Sequence, residues 1–394
     1  MIARIFIFVL MLIVLTDGYV HLRYLRHRAS TKVILLWWLP GVLMAFYTVF
    51  LTLHKDFAPT DGRLLDAYLF LLGLIVAPKL VFVIFSAAGW GVSCLVHRLL
   101  HRSGPRRNYG NVVGLVLVLL MWYMLFYGTF VGFDKLTVRH VEYASKDLPA
   151  AFDGYRIVHF SDAHVGTYGV ARQSLLRRDI DSIMAQRPDM IVFTGDLQNM
   201  RPDEVTPHEA LLASLHAPDG VFSVLGNHDY ADYIKADEAT KAANCRAMID
   251  IQRRIGWTLL LNENRTVCRG ADSIVVAGME NDGDGRKFPQ KGDIGKTLEN
   301  VGDSAFVIML EHDPSSWRRK ILPQSTARLT LSGHTHAMQF ALWGWSPASL
   351  VYSEWGGMFT EGDRAINVST GLGGFIPFRF GVPGEIVVIT LKKK

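Results

Sequence analysis

The sequence contains few cysteines and few charged residues. Three cysteines in 394 residues cannot form a disulfide framework. Charged residues make up only 20% of the chain and hydrophobic residues 50%, which excludes an intrinsically disordered protein. The 35 glycines follow no regular period, so a collagen-like protein is excluded as well. The mean hydropathy of +0.20 is too high for an ordinary soluble protein. The position of the apolar residues in the chain therefore decides what kind of protein this is.

These apolar residues are concentrated near the amino terminus. Four stretches there reach the ~20 residues that a helix needs to cross a bilayer, and no small-residue cleavage site follows the first, so we interpret it as a retained span. The third stretch contains Pro78 and Lys79, and we interpret it as one span with a kink or an interfacial first turn. Lys79 is treated as a single unpaired charge that snorkels or packs at the kink, although an intramembrane lysine can also mark function. We predict an α-helical transmembrane anchor over 1–133 with spans at about 2–20, 33–53, 67–98 and 111–133.

Basic residues flank these spans unevenly. The loops at 21–32 and 98–110 are rich in arginine and lysine, whereas the loop between the second and third spans carries Lys55 and Arg63 against three aspartates. Short basic loops stay in the cytoplasm. We therefore expect the amino terminus and everything after Phe133 to lie on the outer side of the membrane.

From Asp134 onward the sequence changes character. Short β-branched runs alternate with polar, helix-compatible segments, which is typical of a mixed α/β domain, and we predict one such domain over 134–394. The predicted strands are Arg156–Phe160, Met190–Thr194, Val221–Leu225, Ile274–Ala277, Phe306–Leu310, Leu329–Leu331, Ala365–Ser369 and Glu385–Leu391. The predicted helices cover 169–186, 204–216, 233–255 and 292–300.

Side chains of the kind that bind metals follow five of these strands. Loops at strand ends are where α/β folds place their functional sites. A lone carboxylate such as Asp196, directly after a glycine, is suited to bridge two divalent ions, and an i, i+2 spacing lets two side chains point to one side of an extended segment. Each motif alone is more simply a turn or a surface pair, but the ordered series predicts a metal centre. Its residues are Asp162, His164, Asp196, Asn227, His228, His312, His334 and His336.

The ordered motifs SDAH, GD, GNHD, H and GHTH over 162–336 resemble the calcineurin-like metallophosphoesterase superfamily. The tail at 371–391 and the membrane anchor more narrowly resemble its bacterial membrane-anchored, YkuE-like type. The resemblance implies a four-layer αββα sandwich with a dimetal site at the strand ends. It further implies that one ion is held by Asp162, His164, Asp196 and His336, the second by Asp196, Asn227, His312 and His334, while His228 contacts the phosphate and assists the leaving group.

The resemblance also implies an activity and a location. Two divalent ions, of Mn, Fe or Zn, would assist the attack of water on a phosphate ester or a pyrophosphate. The bacterial cytoplasmic membrane would carry the protein, and the basic loops described above would place the catalytic domain on its extracytoplasmic side. After GHTH the relatives often have two glycines and a glutamine, whereas this chain has Ala337, Met338 and Gln339; the departure concerns the substrate pocket rather than the ligands.

The distribution of charge bears on the partners. Residues 1–133 carry 12 basic and 4 acidic side chains, a net +8, and residues 134–394 carry 29 and 32, a net −3, so the overall +5 belongs to the membrane segment. We therefore expect the lipid bilayer and a phosphorylated small-molecule or lipid substrate as partners, and no nucleic acid. The main alternative is a catalytically silent metal-binding receptor or scaffold. A transporter with an appended domain is a further alternative, but one intramembrane lysine offers little for a transport path.

Several residues keep two interpretations. Asp229 either orients His228 or caps a helix, and the segment 278–287 is either a mobile loop that contacts the substrate or a plain turn. Cys245 and Cys268 could pair in an oxidising compartment. An aromatic group that follows GHTH either lies at the membrane interface or covers the site, and it consists of Trp343, Trp345, Tyr352 and Trp355.

Overall fold

The computed structural model describes residues 6–53, 62–101, 104, 106–169, 171–285 and 288–394. The chain divides into two compact units, Met1–Thr129 and Phe130–Lys394. Four of the loop residues used above to orient the spans, Lys55, Asp56, Asp61 and Arg102, lie outside the described residues.

The first unit is mainly helical where it is described, with turns between its helices. Among the described residues, four helical segments are long and apolar enough to cross a membrane, which confirms the predicted number of spans, and they cover Phe6–Leu25, Thr31–Leu53, Gly62–Leu99 and Gly110–Gly132. Within them lie α1 (Phe6–Val20), α2 (Thr31–Leu53), α3 (Gly62–Leu71), α4 (Ala77–Leu99) and α5 (Gly110–Tyr127). A π-helical turn, Leu72–Val76, joins α3 to α4, so that Pro78 lies in a first turn, where its missing N–H is least costly.

Lys79 is not an unpaired charge, and that interpretation of the sequence is wrong. Its Nζ lies 2.6 Å from Oδ1 of Asp17 in α1, whose side chain is fully buried. The ammonium also lies 4.8 Å from the ring centroid of Trp37. Because Asp17 precedes Lys79 by 62 residues, the pair forms only when α1 and α4 pack together, and it offsets the cost of placing either charge in an apolar environment.

The second unit contains two six-stranded mixed sheets. The strands are β1 (Leu136–Ser145), β2 (Arg156–Phe160), β3 (Met190–Phe193), β4 (Val221–Ser223), β5 (Thr258–Leu259), β6 (Glu263–Arg269), β7 (Asp272–Gly278), β8 (Val307–Leu310), β9 (Leu329–Ser332), β10 (Gly357–Glu361), β11 (Arg364–Val368) and β12 (Gly384–Lys393). The strand order is β1-β12-β2-β3-β4-β5 in the first sheet and β10-β11-β9-β8-β7-β6 in the second. In each sheet a run of parallel strands carries the residues of interest at its carboxyl ends, since β2, β3, β4 and β5 are parallel to one another, as are β7, β8, β9 and β11.

Alternating side chains of the strands separate three cores. Ile157 in β2 and Ile308 in β8 point into a shared core between the two sheets. Val158 in β2 packs on the other face of the first sheet with Ile180 of a helix, and Met309 in β8 packs on the other face of the second sheet. The result is the four-layer α/β/β/α arrangement that the resemblance implies. The helices are α6 (Gln173–Ala185), α7 (Glu209–Leu212), α8 (Glu238–Arg254), α9 (Ile294–Thr297) and α10 (Leu322–Gln324).

Some predicted elements differ from the structure. The helix expected over 204–216 is reduced to 3-10 turns and the four-residue α7. Pro207 lies near the start of the expected helix and Pro202 lies just before it, and a proline cannot donate the backbone hydrogen bond that an α-helix needs. The helix expected over 292–300 is only Ile294–Thr297. Cys245 and Cys268 are both free thiols in the structure.

Candidate metal centre

The structure brings all eight sequence-predicted site residues together. They follow β2, β3 and β4 of the first sheet and β8 and β9 of the second, where the carboxyl ends of the strands meet. The hydrogen-bond and ring contacts described below connect every one of the eight to another, and several of them join residues more than 100 positions apart. Long-range packing of two sheets, rather than one local motif, therefore forms the site.

The backbone at this site is held in an unusual conformation. Five of the eight residues have φ between 43° and 75°, a region that non-glycine residues seldom occupy. Such conformations persist where surrounding contacts enforce them, and they cluster at functional sites. These residues are Asp162, His164, Asp196, His334 and His336.

A first group of ligand atoms comes from four residues. The atoms offered by Asp162, His164, Asp196 and His336 all lie within 4.8 Å of one another. Nε2 of His336 is 3.2 Å from Oδ1 of Asp162 and 3.3 Å from Nε2 of His164. Two oxygens of Asp162 also accept the backbone N–H of His334, at 3.1 and 3.0 Å, which ties the first motif to the last.

A second group surrounds the amide oxygen of Asn227. Oδ1 of Asn227 lies 2.7 Å from Nδ1 of His334 and 3.1 Å from Nε2 of His312. The amide nitrogen of Asn227 donates to the hydroxyl of Tyr233 at 2.7 Å, and this bond keeps Oδ1 turned towards the two histidines. One carboxylate belongs to both groups, because Oδ2 of Asp196 lies 3.2 Å from Nε2 of His312 and 3.6 Å from Nε2 of His164.

In two of the histidines, a hydrogen bond from Nδ1 to a backbone carbonyl leaves Nε2 as the nitrogen that faces the other ligand atoms. Nδ1 of His164 lies 3.1 Å from the carbonyl oxygen of Gln198, and Nδ1 of His312 lies 2.7 Å from that of Thr194. A carbonyl only accepts, so each Nδ1 carries a proton and each Nε2 faces the cluster. Where these inward nitrogens are unprotonated, they and the carboxylate oxygens repel one another at these distances unless a cation lies among them, so the donor set fits divalent metal ions.

Burial and neighbouring charges shift the pKa values of the same groups. Burial lowers the pKa of His164 to about 3, so its imidazole is neutral, and burial raises the pKa of Asp162 to about 6. Burial opposes the charge of Asp196, yet the imidazoles of His312 and His228 hold its pKa well below the usual range. The neighbouring carboxylates outweigh burial at His312 and raise its pKa to about 10. A carboxylate cluster that keeps a proton on a buried imidazole is a site of concentrated negative charge.

His228 lies beside these groups rather than within them. Its ring centroid is 4.8 Å from that of His164, in an edge-to-face arrangement, and its backbone N–H donates to Oδ1 of Asp196 at 2.8 Å. Nδ1 lies 2.5 Å from the carbonyl oxygen of Asn199, so Nδ1 carries a proton and Nε2 is the nitrogen available to a substrate. The rings of Tyr233 and Phe375 pack against the imidazole at 4.4 and 5.4 Å.

Asp229 neither orients the ring of His228 nor caps a helix, so both interpretations of the sequence are wrong. Its buried carboxylate accepts the backbone N–H groups of Asp196 at 2.9 Å, Leu197 at 3.0 Å and Gly226 at 3.0 Å. These bonds join the loop after β3 to the loop after β4. Asp229 therefore fixes the backbone that carries Asp196.

Three further residues support the site, and the sequence pointed only to Tyr352, as a member of the aromatic group that either covers the site or lies at the membrane interface. The hydroxyl of Tyr352 lies 2.9 Å from Nε2 of His334, and a carboxylate oxygen of Asp313 lies 3.4 Å from the same nitrogen. Gly371, with φ of 83°, lies against Asp162 and His336, so a side chain there would collide with both. Asp313 directly follows the candidate ligand His312, and this position could have indicated its role. Nothing in the spacing of the sequence connects residues 352 or 371 to particular ligands.

The segment at 278–287 is held in place where it is described. Both carboxylate oxygens of Asp282 are paired, one with Arg319 at 2.8 Å and one with Lys320 at 3.0 Å. The side chain of Asp282 is almost fully buried. Phe288, which directly follows the segment in the sequence, packs edge-to-face on His334 with 4.8 Å between ring centroids. Arg286 and Lys287 lie outside the described residues.

Two family models match the chain. Residues 155–338 match the calcineurin-like phosphoesterase model. Residues 3–133 match the model described as "Probable Calcineurin-like phosphoesterase, transmembrane domain". The metallophosphoesterase YkuE of Bacillus subtilis is 33% identical over 255 residues, which cover 62% of this chain and 82% of that protein. The chain belongs to the calcineurin-like phosphoesterase family.

Two further relatives of this phosphoesterase are named for a transmembrane protein with a catalytic domain and for a specific activity. A zebrafish (Danio rerio) transmembrane protein with metallophosphoesterase domain is 28% identical over 327 residues, 79% of this chain and 71% of that protein. The UDP-2,3-diacylglucosamine pyrophosphatase LpxG of Chlamydia trachomatis is 27% identical over 296 residues, 62% of this chain and 86% of that protein. The phosphoesterase is thus a hydrolase and an integral membrane protein, and its buried aspartate and histidine cluster can hold divalent metal.

Proposed function

We propose that this protein is a membrane-anchored dimetal phosphoesterase that hydrolyses a phosphate ester or pyrophosphate bond of a lipid-linked substrate. The observation that carries the proposal is the pair of ligand groups that share Asp196. Asp162, His164 and His336 complete one group, and Asn227, His312 and His334 complete the other. We infer ions of Mn, Fe or Zn, because imidazole, amide and carboxylate ligands accept all three.

The residues of the chain have separate tasks in this reaction. When bound, two divalent ions supply positive charge to the phosphoryl oxygens and lower the pKa of water. Asp196 holds the two ligand groups together, and Asp229 holds its backbone. His228 keeps one proton on Nδ1 against the Asn199 carbonyl, so the imidazolium form can donate from Nε2 to the leaving oxygen. The packed rings of Tyr233 and Phe375 keep that imidazole at a fixed orientation.

The substrate class is inferred from the membrane unit and from one relative. LpxG is named for a pyrophosphatase that acts on UDP-2,3-diacylglucosamine, which carries two acyl chains and a pyrophosphate. Four candidate spans in this chain would hold the catalytic unit at a bilayer, where such acyl chains reside. We therefore propose an acylated phosphate or pyrophosphate, in the bacterial cytoplasmic membrane, with the catalytic unit on the extracytoplasmic side.

The test uses the full-length protein in lipid nanodiscs with Mn²⁺. Hydrolysis of an aryl phosphate, a bis-aryl phosphodiester and UDP-2,3-diacylglucosamine is measured for the wild type, Asp196→Asn and His228→Ala. We expect metal-dependent turnover that falls at least about a hundredfold in both variants. Asp181→Asn and His216→Ala change exposed residues of the same types and should behave as the wild type.

Failure has a defined form. If the wild type binds metal but none of the three substrates turns over, and the variants match it, the enzyme proposal is wrong. The chain would then fit the alternative of a metal-binding receptor or scaffold at the membrane.

A further inference from the structure

A long uncharged segment follows the last two candidate ligands. Residues 337–353, which we name the apolar segment, include no Asp, Glu, Lys or Arg, although residues 134–394 as a whole carry 29 basic and 32 acidic side chains. Such a run within a charged domain is either buried or in contact with something apolar.

The apolar segment is largely exposed. Among the described residues from 132 to 394, every exposed Val, Leu, Ile, Met, Phe, Tyr or Trp side chain falls within it. Trp343 is 95% exposed, Leu350 77% and Val351 64%. Scattered single apolar side chains are normal on a protein surface, but confinement of all of them to one short stretch of chain marks an interaction surface. The exposed set is Met338, Leu342, Trp343, Trp345, Leu350 and Val351.

The backbone holds these side chains outward. Leu342 and Trp345 exchange two backbone hydrogen bonds, of 2.8 and 3.0 Å, across a two-residue turn. Trp343 and Gly344 form that turn with φ of 50° and 79°, the combination of a type I′ turn. A bulky residue at positive φ is costly, and here it places Trp343 at the tip of the turn. The exposure of Trp343 is thus built into the local structure.

The base of the segment is anchored beside the metal centre. Ser346 donates to the carbonyl of Ala337, and Phe340 stacks on Phe380 with 5.6 Å between ring centroids. At the end of the segment the hydroxyl of Tyr352 reaches His334. Tyr352 of the aromatic group therefore contacts the site. Trp343 and Trp345 face outward, and their place at the membrane interface stays a prediction.

We propose that the apolar segment docks into the interface of the lipid bilayer in which the protein is anchored. The chain itself brings this partner, since four of its helices are apolar and long enough to span a membrane. Tryptophan favours the boundary between headgroups and acyl chains, because its ring is apolar and its N–H remains solvated. Leu350 and Val351 supply apolar area beside it, and the absence of charge removes the cost of approaching a low-dielectric phase.

Docking has a consequence that rests on the proposed function. A segment that directly follows a candidate ligand, His336, and that contains Tyr352 would hold the metal centre next to the lipid surface. A substrate with acyl chains in the bilayer could then present its phosphate without leaving the membrane. A water-soluble substrate would gain nothing from the segment.

The first test measures lipid contact without reference to catalysis. In a full-length variant with Cys94, Cys245 and Cys268 replaced by serine, Trp343→Cys is labelled with the environment-sensitive fluorophore NBD and placed in nanodiscs. Ser304→Cys serves as the control, because residue 304 is exposed and precedes β8, at the opposite end of that strand from His312. We expect a blue-shifted emission at position 343, quenching by nitroxide lipids and protection from iodide, and none of these at position 304.

Two results would overturn the proposal. One is quenching by iodide at position 343 as strong as at position 304, with no effect of nitroxide lipids. The other is efficient disulfide cross-linking between two chains of the unlabelled Trp343→Cys variant, which would assign the surface to a second copy of the protein.

The second test separates docking from the chemistry. Leu350→Asp with Val351→Asp should lower nitroxide quenching of the label at 343 and slow hydrolysis of the acylated substrate by at least tenfold, while hydrolysis of the soluble bis-aryl phosphodiester stays unchanged. Equal loss on both substrates would show a structural defect and contradict the proposal. If no substrate turns over even in the wild type, the proposed function fails, and the fluorescence result still decides whether the segment docks.

Discussion

At the scale of single residues, the site depends most on Asp196. Its Oδ2 lies between His164 and His312, and its Oδ1 accepts the backbone N–H of His228. One carboxylate thus contacts both ligand groups and the segment with the proposed proton donor. Its backbone N–H is in turn fixed by the carboxylate of Asp229. Among the described residues, no other side chain of the site forms hydrogen bonds or ion pairs with both ligand groups and with the backbone of His228.

This arrangement predicts how metal content changes with substitution. Asn227→Ala removes an oxygen found only in the second group, so bound metal should fall from about two ions per chain to about one. Asp162→Ala should cause a similar loss from the first group, whereas Asp196→Asn should weaken both sites. The measurement is elemental analysis of desalted full-length protein. Asp181→Asn, an exposed change, is the control, and a full metal complement in Asn227→Ala would contradict the second site.

At the scale of elements, β2 carries a polar residue between the two sheets. His159 is fully buried, its Nε2 lies 2.9 Å from the hydroxyl of Thr194, and its Nδ1 accepts from the amide of Asn367 at 3.1 Å. Burial, with a contribution from Arg139, lowers the pKa of His159 to about 3. The imidazole is therefore neutral in the folded protein and links β2 to β11 across the core.

This pKa sets a pH dependence of stability. Between pH 6.5 and about 3 the unfolded chain binds a proton at residue 159 that the folded chain does not. The contribution of His159 is therefore complete above pH 6.5 and declines as the pH falls, by up to about 1.4 kcal/mol per pH unit. Thermal unfolding of wild type and His159→Gln in detergent at pH 7.5, 6.5 and 5.5 tests this. The variant should be less stable at pH 7.5, and its deficit should shrink at pH 5.5; parallel curves would contradict the assignment.

The same element scale shows what the sequence could predict. Strands buried on both faces, such as β3 and β8, are continuous apolar runs and were recognised. Strands with one exposed face were missed, because their polar residues interrupt the apolar run. In β6 the side chains of Arg265, Thr266 and Cys268 are exposed, and in β1 polar residues with partly exposed side chains alternate with apolar ones. The candidate ligands could be predicted because each directly follows a buried strand, and the end of a continuous apolar run is easy to locate in a sequence.

Contacts between distant residues could not be predicted. The pair of Asp17 and Lys79 and the contact of Tyr352 with His334 depend on packing, which one sequence does not reveal. The backbone bonds of Asp229 depend on the mutual position of two loops in the same way. The separate metal roles of the ligands and the proton donor role of His228 stay predictions, for which the geometry supplies the arrangement.

At the scale of the whole molecule, charge is divided between the two halves of the sequence. The membrane half carries a net +8 and the catalytic half a net −3. Most of this positive charge lies in the loops that flank the spans, where we expect it to act on insertion. The catalytic half has no excess of positive charge with which to attract a polyanion, and the absence of a nucleic-acid partner stays a prediction.

The distribution of basic loops predicts the topology of the protein. Arg23, Arg26 and Arg28 should hold the first loop in the cytoplasm, so that an even number of spans leaves the amino terminus and the catalytic unit outside. Alkaline phosphatase, active only outside the cytoplasm, is fused after Lys394 and, in a second fusion, after Lys32. We expect activity from the first fusion alone, and green fluorescent protein at the same positions should give the reverse. An alkaline phosphatase fusion that is active only after Lys32 would place the catalytic unit in the cytoplasm, and would restrict its substrates to phosphates on that side of the membrane.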